Sequence, residues 1–177
     1  MSGAGQARFF YDLSSPAAYL AAERVNHVLP EVPEWVPVHL GEPGPFRCAE
    51  EIAAYQEDIQ RAASAQGLQP MRWPDPFPAD SEWAMLAATY AKQIGRAVAF
   101  SLAAFRQAFA GGRDLGERDN VLIAAAACEM HPAAIIKGAE LRGTRTRLEQ
   151  ATAEARAAGI TDTPAVLTAG GELIEVP

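Results

Sequence analysis

The chain has 177 residues, 49% hydrophobic and 21% charged, which is enough for one domain with a core or one domain carrying an insertion. A formal net charge of −7 excludes the basic surface that nucleic acid or an anionic membrane requires, so neither is expected as a partner. No apolar run approaches a membrane span, the N-terminus MSGAGQARFF lacks a signal-peptide pattern, and the two cysteines, Cys48 and Cys128, have neither metal nor C-x-x-C spacing. The expectation is a cytoplasmic protein with reduced thiols and no metal.

In chain order, Phe9 to Leu13 reads as a buried strand, followed by a two-serine turn and a helix opening at Pro16. Ala17, Leu20, Ala21, Val25 and Val28 fall on one face of that helix at helical spacing. Trp35 to Leu40 is a second strand, and Pro37 within it points to a sheet edge or a bulge. The run GEPGP, Gly41 to Pro45, breaks the pattern, and from there to about Arg142 the periodicity is helical.

Ile52, Tyr55, Ile59 and Ala62 share one helix face ahead of Gly67. Gln69 to Asp80 holds four prolines and must be an irregular loop, after which Asp80 or Ser81 caps a helix bearing Trp83, Leu86, Ala87, Tyr90 and Ile94. A helix with Val98, Leu102, Phe105 and Phe109 stops at Gly111-Gly112. Shorter helices run from about Asn120 to Glu129 and after Pro132, and a polar one from about Thr144 to Ala158. Ala165 to Thr168 and Glu172 to Val176 then form a hairpin of strands around Gly170-Gly171, and no helix is expected after it.

Ser15 stands where a helix N-cap belongs. One reading is an ordinary cap. The other is a hydroxyl that donates to an anion such as a thiolate, at a helix mouth that favours negative charge.

Strand–turn–helix at one end and a Thr-Pro before a hairpin at the other resemble the thioredoxin fold interrupted by a helical insertion, as in DsbA-like proteins. Within that group, YDLSSPAAYLAAERV resembles the opening of the 2-hydroxychromene-2-carboxylate isomerases and the kappa-class glutathione transferases. RWPDPFP (72–78), FRQAFAGGRD (105–114) and ARAAGITDTPAV (155–166) agree in the same order. The resemblance implies an α/β thioredoxin-like domain of residues 1–42 plus 143–177, with an all-α insertion at 43–142. It makes Ser15 the catalytic serine and puts Ala18 at the second redox position, which removes dithiol exchange. It makes Thr163-Pro164 a cis step whose backbone, with Ser15, binds glutathione as cofactor, and it places Trp73 and Phe77 on the wall of a pocket for a small aromatic substrate.

The implied activity is glutathione-dependent isomerisation of an unsaturated aromatic acid, by a homodimer. Two alternatives stand beside it: a kappa-type transferase, and a degenerate thioredoxin-fold binding protein without chemistry. The short stretch Gly41 to Arg47 lacks the Asn-x-Pro-Pro of the kappa transferases. Asp162 stands where the family has glycine, and an acid there opposes thiol ionisation. The sequence stops at Pro177, before the family's γ-glutamyl-binding segment and closing helix, which leaves one sheet face expected to be uncovered. His27, His39 and His131 read as helix-end, strand-end and cap residues, and Cys48 and Cys128 as packing residues.

Overall fold

The computed structural model describes residues 5–41 and 46–176. Most of the GEPGP breaker and the terminal Pro177 lie outside the described residues. Four strands and eight helices follow in the order β1 (Arg8–Tyr11), α1 (Pro16–Ala22), α2 (Val25–Val28), β2 (Glu34–Pro37), α3 (Ala49–Ala65), α4 (Glu82–Gln93), α5 (Ala97–Phe109), α6 (Arg118–Ala127), α7 (Pro132–Ala139), α8 (Arg142–Ala157), β3 (Ala165–Leu167) and β4 (Leu173–Ile174). The expected mixed α/β arrangement with a helical insertion is what the chain adopts.

The sheet order is β2-β1-β3-β4. β1 and β2 are parallel, with Phe9 opposite Trp35 and Tyr11 opposite Pro37. β3 runs antiparallel to both β1 and β4. Pro37 is therefore on an edge strand, where its missing N–H costs no ladder bond. The parallel pair needs a crossover, which α1 and α2 supply.

Alternation along β1 divides the core. Phe9 and Tyr11 point to the face that carries α1, α4 and α5, where Trp35 and Phe105 close an aromatic cluster around them. Phe10 points to the opposite face and packs with Val36, Val38 and Leu167 under Ala151 and Ala155 of α8. The face expected to be uncovered is thus covered by α8. The apolar cluster on the first face is continuous from the sheet into α3, α4, α5 and α6. Tyr11 Oη and Ser101 Oγ, 2.6 Å apart, satisfy each other inside it.

Three expectations need correction. The helix from Pro16 is two pieces, broken at Glu23–Arg24, and Val28 is 40% exposed rather than facing the core. Glu23 leaves the helical run to accept two hydrogen bonds from Arg106 of α5, and Asn26 accepts one from the Trp35 indole. Ile94 is the C-cap of α4 and half exposed. Cys48 is exposed at the start of α3, and Cys48 and Cys128 are both free thiols. Among the described residues no helix is long and apolar enough to cross a membrane, and no cluster of three metal-ligating side chains occurs.

Two glycines hold the insertion in place. Gly112, with φ +67, lets the end of α5 lie against Arg72, whose N–H donates to Phe109 O at 2.7 Å and so anchors the proline-rich loop. Gly138 of α7 is buried against the Tyr90 ring of α4, which occupies the space a Cβ would need. Gly138→Ala is expected to destabilise the fold by about 1–3 kcal/mol, the usual cost of overpacking. Denaturant unfolding measures this, and a variant as stable as the wild type would mean that α4 and α7 are free to separate.

Candidate active site

The turn after β1 is folded by its own aspartate. Asp12 is 4% exposed. Its Oδ1 accepts from the Ser14 N–H and the Ser14 hydroxyl, both at 2.9 Å, which is the local bonding that makes Asp a turn former. The Ser15 N–H donates to Asp12 O at 3.1 Å. The turn delivers Ser15 to the start of α1 as its N-cap, where Oγ accepts from Ala18 N–H at 3.1 Å.

Across from it, the Thr163–Pro164 peptide is cis and turns the Thr163 carbonyl toward the serine. The Ser15 hydroxyl donates to that carbonyl at 3.0 Å, across 148 residues of sequence. Ser15, Thr163 and Pro164 are thus brought together as expected. α1 has only seven residues and begins with Pro16, which has no N–H, so the electrostatic weight of its N-terminus is smaller than a long helix would give.

Ser15 and Thr163 open onto a cleft of about 370 Å³, walled also by Ser14, Leu40, Phe46, Tyr55, Phe77 and Asp162. Phe77 of the proline-rich loop stacks nearly parallel to Tyr55 of α3, with centroids 6.4 Å apart, and Phe46 leans on both. Trp73 does not line this cleft. It stands edge-on to Phe77 at 5.1 Å and to Phe109 at 6.3 Å, and opens onto a separate surface depression that Gln56 and Gln60 of α3 also line. It buttresses the wall that Phe77 forms.

Sequence reasoning missed Tyr55. Its position in an apolar helix stripe read as core, yet its phenol reaches the cleft. Burial, with Asp162 nearby, pushes its pKa up to about 12, while the Ala17 N–H pulls it slightly back. Tyr55 is therefore a neutral proton donor at any ordinary pH. The sequence also gave no partner for Asp162. In the structure Asp162 Oδ1 accepts from the Thr163 N–H at 2.7 Å, so both backbone groups of Thr163 are engaged within the chain.

His39 likewise gains a partner that spacing did not reveal. Parallel pairing of β1 with β2 carries residues 12 and 39 to neighbouring strand ends. His39 Nδ1 lies 3.2 Å from Asp12 Oδ2. Ser81, expected to cap α4, instead donates its hydroxyl to Asp12 Oδ1 at 2.7 Å. Asp80 Oδ1 takes the Glu82 N–H in its place. The hydrogen bond to Asp12 is the main cause that raises the His39 pKa, against burial and with Glu82 and Asp80 adding to it. His39 opens not into the Ser15 cleft but onto a separate surface depression beside Glu82, Arg145, Glu149 and Arg156. Its place is behind the turn, holding Asp12.

This geometry has known counterparts. The model for the DSBA-like thioredoxin domain matches residues 6–176. The chain belongs to that family. Among solved structures it is similar to a 2-hydroxychromene-2-carboxylate isomerase, with TM-score 0.82 and 18% identity over 95% of this chain and 87% of that one. It is similar to a probable DsbA oxidoreductase from Streptomyces coelicolor, with TM-score 0.77 and 18% identity over 96% and 82% of the two chains. It is also similar to the cytosolic disulfide reductase DsbM from Pseudomonas aeruginosa in its structure with GSH, with TM-score 0.71 and 15% identity over 96% and 89%. No curated protein matches the chain in sequence. Identities this low show a shared fold.

The His39–Asp12 contact gives stability a pH signature. A histidine whose pKa is raised by folding binds its proton more tightly in the folded state. Its contribution is complete below the ordinary histidine value of 6.5 and is lost as pH rises through the raised value. His39→Gln should therefore cost more stability near pH 6 than near pH 9, roughly the two sides of the histidine range. Urea melts of both proteins at the two pH values measure the difference, and a pH-independent cost would remove the charge from the interaction.

Proposed function

We propose that the cleft binds the cysteinyl unit of a small thiol of the glutathione type and uses its sulfur to isomerise an unsaturated aromatic acid. The observation that carries this reading is the Ser15 hydroxyl held 3.0 Å from the carbonyl of the cis-proline step, at the base of a cleft walled by three aromatic rings. Glutathione is the thiol that the sequence resemblance implies. The cradle fits a cysteinyl backbone on its carbonyl side: Thr163 O has only a side-chain hydroxyl as partner, and an incoming amide N–H replaces it without leaving an orphan.

When bound, the thiol would supply a nucleophile whose addition turns a double bond into a rotatable single bond and whose elimination restores the double bond and the thiol. The chain's own residues do the rest. Ser15 has one hydroxyl proton, and at rest Thr163 O takes it. Once that carbonyl is engaged by a ligand, the proton turns to the sulfur. A hydrogen bond to the charged form lowers a thiol pKa. Ala18 leaves no second sulfur for a disulfide, so redox exchange within the chain does not compete. Phe46, Tyr55 and Phe77 stack against the aromatic part of the acceptor, and the Tyr55 phenol supplies a neutral donor to negative charge developing on it.

A second reading is favoured by one specific contact. Asp162 already occupies the Thr163 N–H, as a binding protein without chemistry would tolerate. Calorimetric titration with cysteinyl thiols, followed by ultraviolet detection of thiolate in the complex, separates the two. Binding with a depressed thiol pKa supports the enzyme, and no binding at millimolar thiol supports the binding protein.

Ser15→Ala removes both the cap and the donor. It is expected to cost about 1 kcal/mol of stability from the lost cap. It should raise the bound thiol pKa by roughly 1–2 units, the worth of one hydrogen bond to a charged group. Tyr55→Phe should leave the thiol pKa within about half a unit of wild type and act on acceptor turnover instead, because its ring remains and only the donor is lost. A Ser15→Ala protein whose bound thiol titrates like the wild type would remove the serine from the chemistry.

A further inference from the structure

We infer that the small thiol accepted by this cleft carries no net negative charge, so that a neutral or amino-bearing cysteinyl thiol is preferred over glutathione, with Asp162 as the residue that discriminates. The inference rests on the proposed thiol site and concerns which thiol fills it. Three observations support it.

The first is the wall. No lysine, arginine or histidine lines the cleft among the described residues. Of the cations close to it along the backbone, Arg47, next to Phe46, is paired with Glu51, and Arg156 is engaged with the Leu40 carbonyl at 3.0 Å and belongs to the separate depression beside His39. Glutathione has two carboxylates and one ammonium, and its thiolate form carries one further negative charge. Carboxylates in a cleft without a cation lose hydration and gain nothing in return.

The second is Asp162 itself. Among the described residues that line the cleft it is the one charged side chain, and it is acidic. Its influence reaches across the cleft to Tyr55, whose phenol it helps to keep protonated. An anionic thiol and an anionic acceptor would add to the same unfavourable field. A thiol without net charge removes one of those contributions, and an amino group on it would turn the Asp162 interaction favourable.

The third is the Thr163 N–H. Asp162 Oδ1 holds it at 2.7 Å, where an incoming backbone carbonyl would bind. A cysteinyl ligand must therefore displace the carboxylate before it makes both backbone bonds. Displacement is easiest for a ligand that offers the freed carboxylate a donor, and hardest for one that brings carboxylates of its own. Asp162 is exposed, so its side chain can swing away without opening the core.

The experiment is calorimetric titration of wild type, Asp162→Asn and Asp162→Gly with glutathione and with glutathione diethyl ester, whose cysteinyl core is identical and whose carboxylates are masked. Circular dichroism confirms that each variant is folded. The wild type is expected to bind the ester about tenfold more tightly than glutathione, and Asp162→Gly to gain about tenfold for glutathione, from one freed hydrogen bond and one removed like charge. Asp162→Asn, which keeps an acceptor for Thr163 but no charge, should fall between them. Equal wild-type affinity for the two probes, or tighter glutathione binding, overturns the charge preference while leaving the thiol site standing. Binding of neither probe to any of the three proteins overturns the thiol site and this inference with it.

Discussion

One hydrogen bond, from the Ser15 hydroxyl to the Thr163 carbonyl, ties the first turn of the chain to the step before its last hairpin. Much of the surrounding structure is needed to make it. β1 and β3 must be neighbours, so that the turn after one faces the approach to the other. The Thr163–Pro164 peptide must be cis, and Asp12 must fold the DLSS turn so that Ser15 arrives as a cap. A hydroxyl has a single proton to give. In this structure that proton goes to the Thr163 carbonyl, and the proposed thiol site depends on a ligand taking that carbonyl so that the hydroxyl can turn to it.

The helical insertion takes part in this arrangement. Ser81, from the start of α4, gives its hydroxyl to the same Asp12 oxygen that folds the serine turn, and His39 closes the other oxygen from β2's end. One buried carboxylate thus ties together the turn, the insertion and the edge strand. Such networks are stiff when every member is satisfied and costly when one is missing. Tyr19 of α1, against Phe105 and Phe109 of α5, and the bidentate Glu23–Arg106 pair fasten the same helix from its other side. Ser15 therefore sits on a turn that is clamped by side chains from several elements, as a donor that must act at a fixed distance requires.

The sequence made the architecture legible because periodicity and punctuation are local properties. Ser15-Pro16 marked the helix start, the glycines marked helix ends, and Pro37 marked an edge. What it did not show depends on long-range placement. Nothing at Glu23–Arg24 is a helix breaker, and the break there follows from Arg106 and Trp35, which are distant in sequence. Trp73 and Phe77 lie in one loop and are equivalent in composition, but only one faces the cleft. Tyr55 satisfies a helical apolar stripe while its hydroxyl points elsewhere. His39 lacked a partner until β1 and β2 were paired, because no spacing rule connects residues 12 and 39.

These placements share an electrostatic logic. Among the described residues the hydroxyl-bearing side chains of the cleft, Ser14, Ser15, Tyr55 and Thr161, are neutral, and its charged side chain, Asp162, is negative. A site of that kind cannot draw in an anion by long-range attraction, as an arginine-lined pocket would. It stabilises negative charge only at contact, through hydrogen bonds whose geometry is already set. On the proposed reading, charge that develops on a sulfur or an acceptor would meet those donors, whereas charge already on a ligand would meet Asp162 first. Such an arrangement would favour charge that develops over charge that arrives, which the proposed reaction requires and the binding of an anion alone does not.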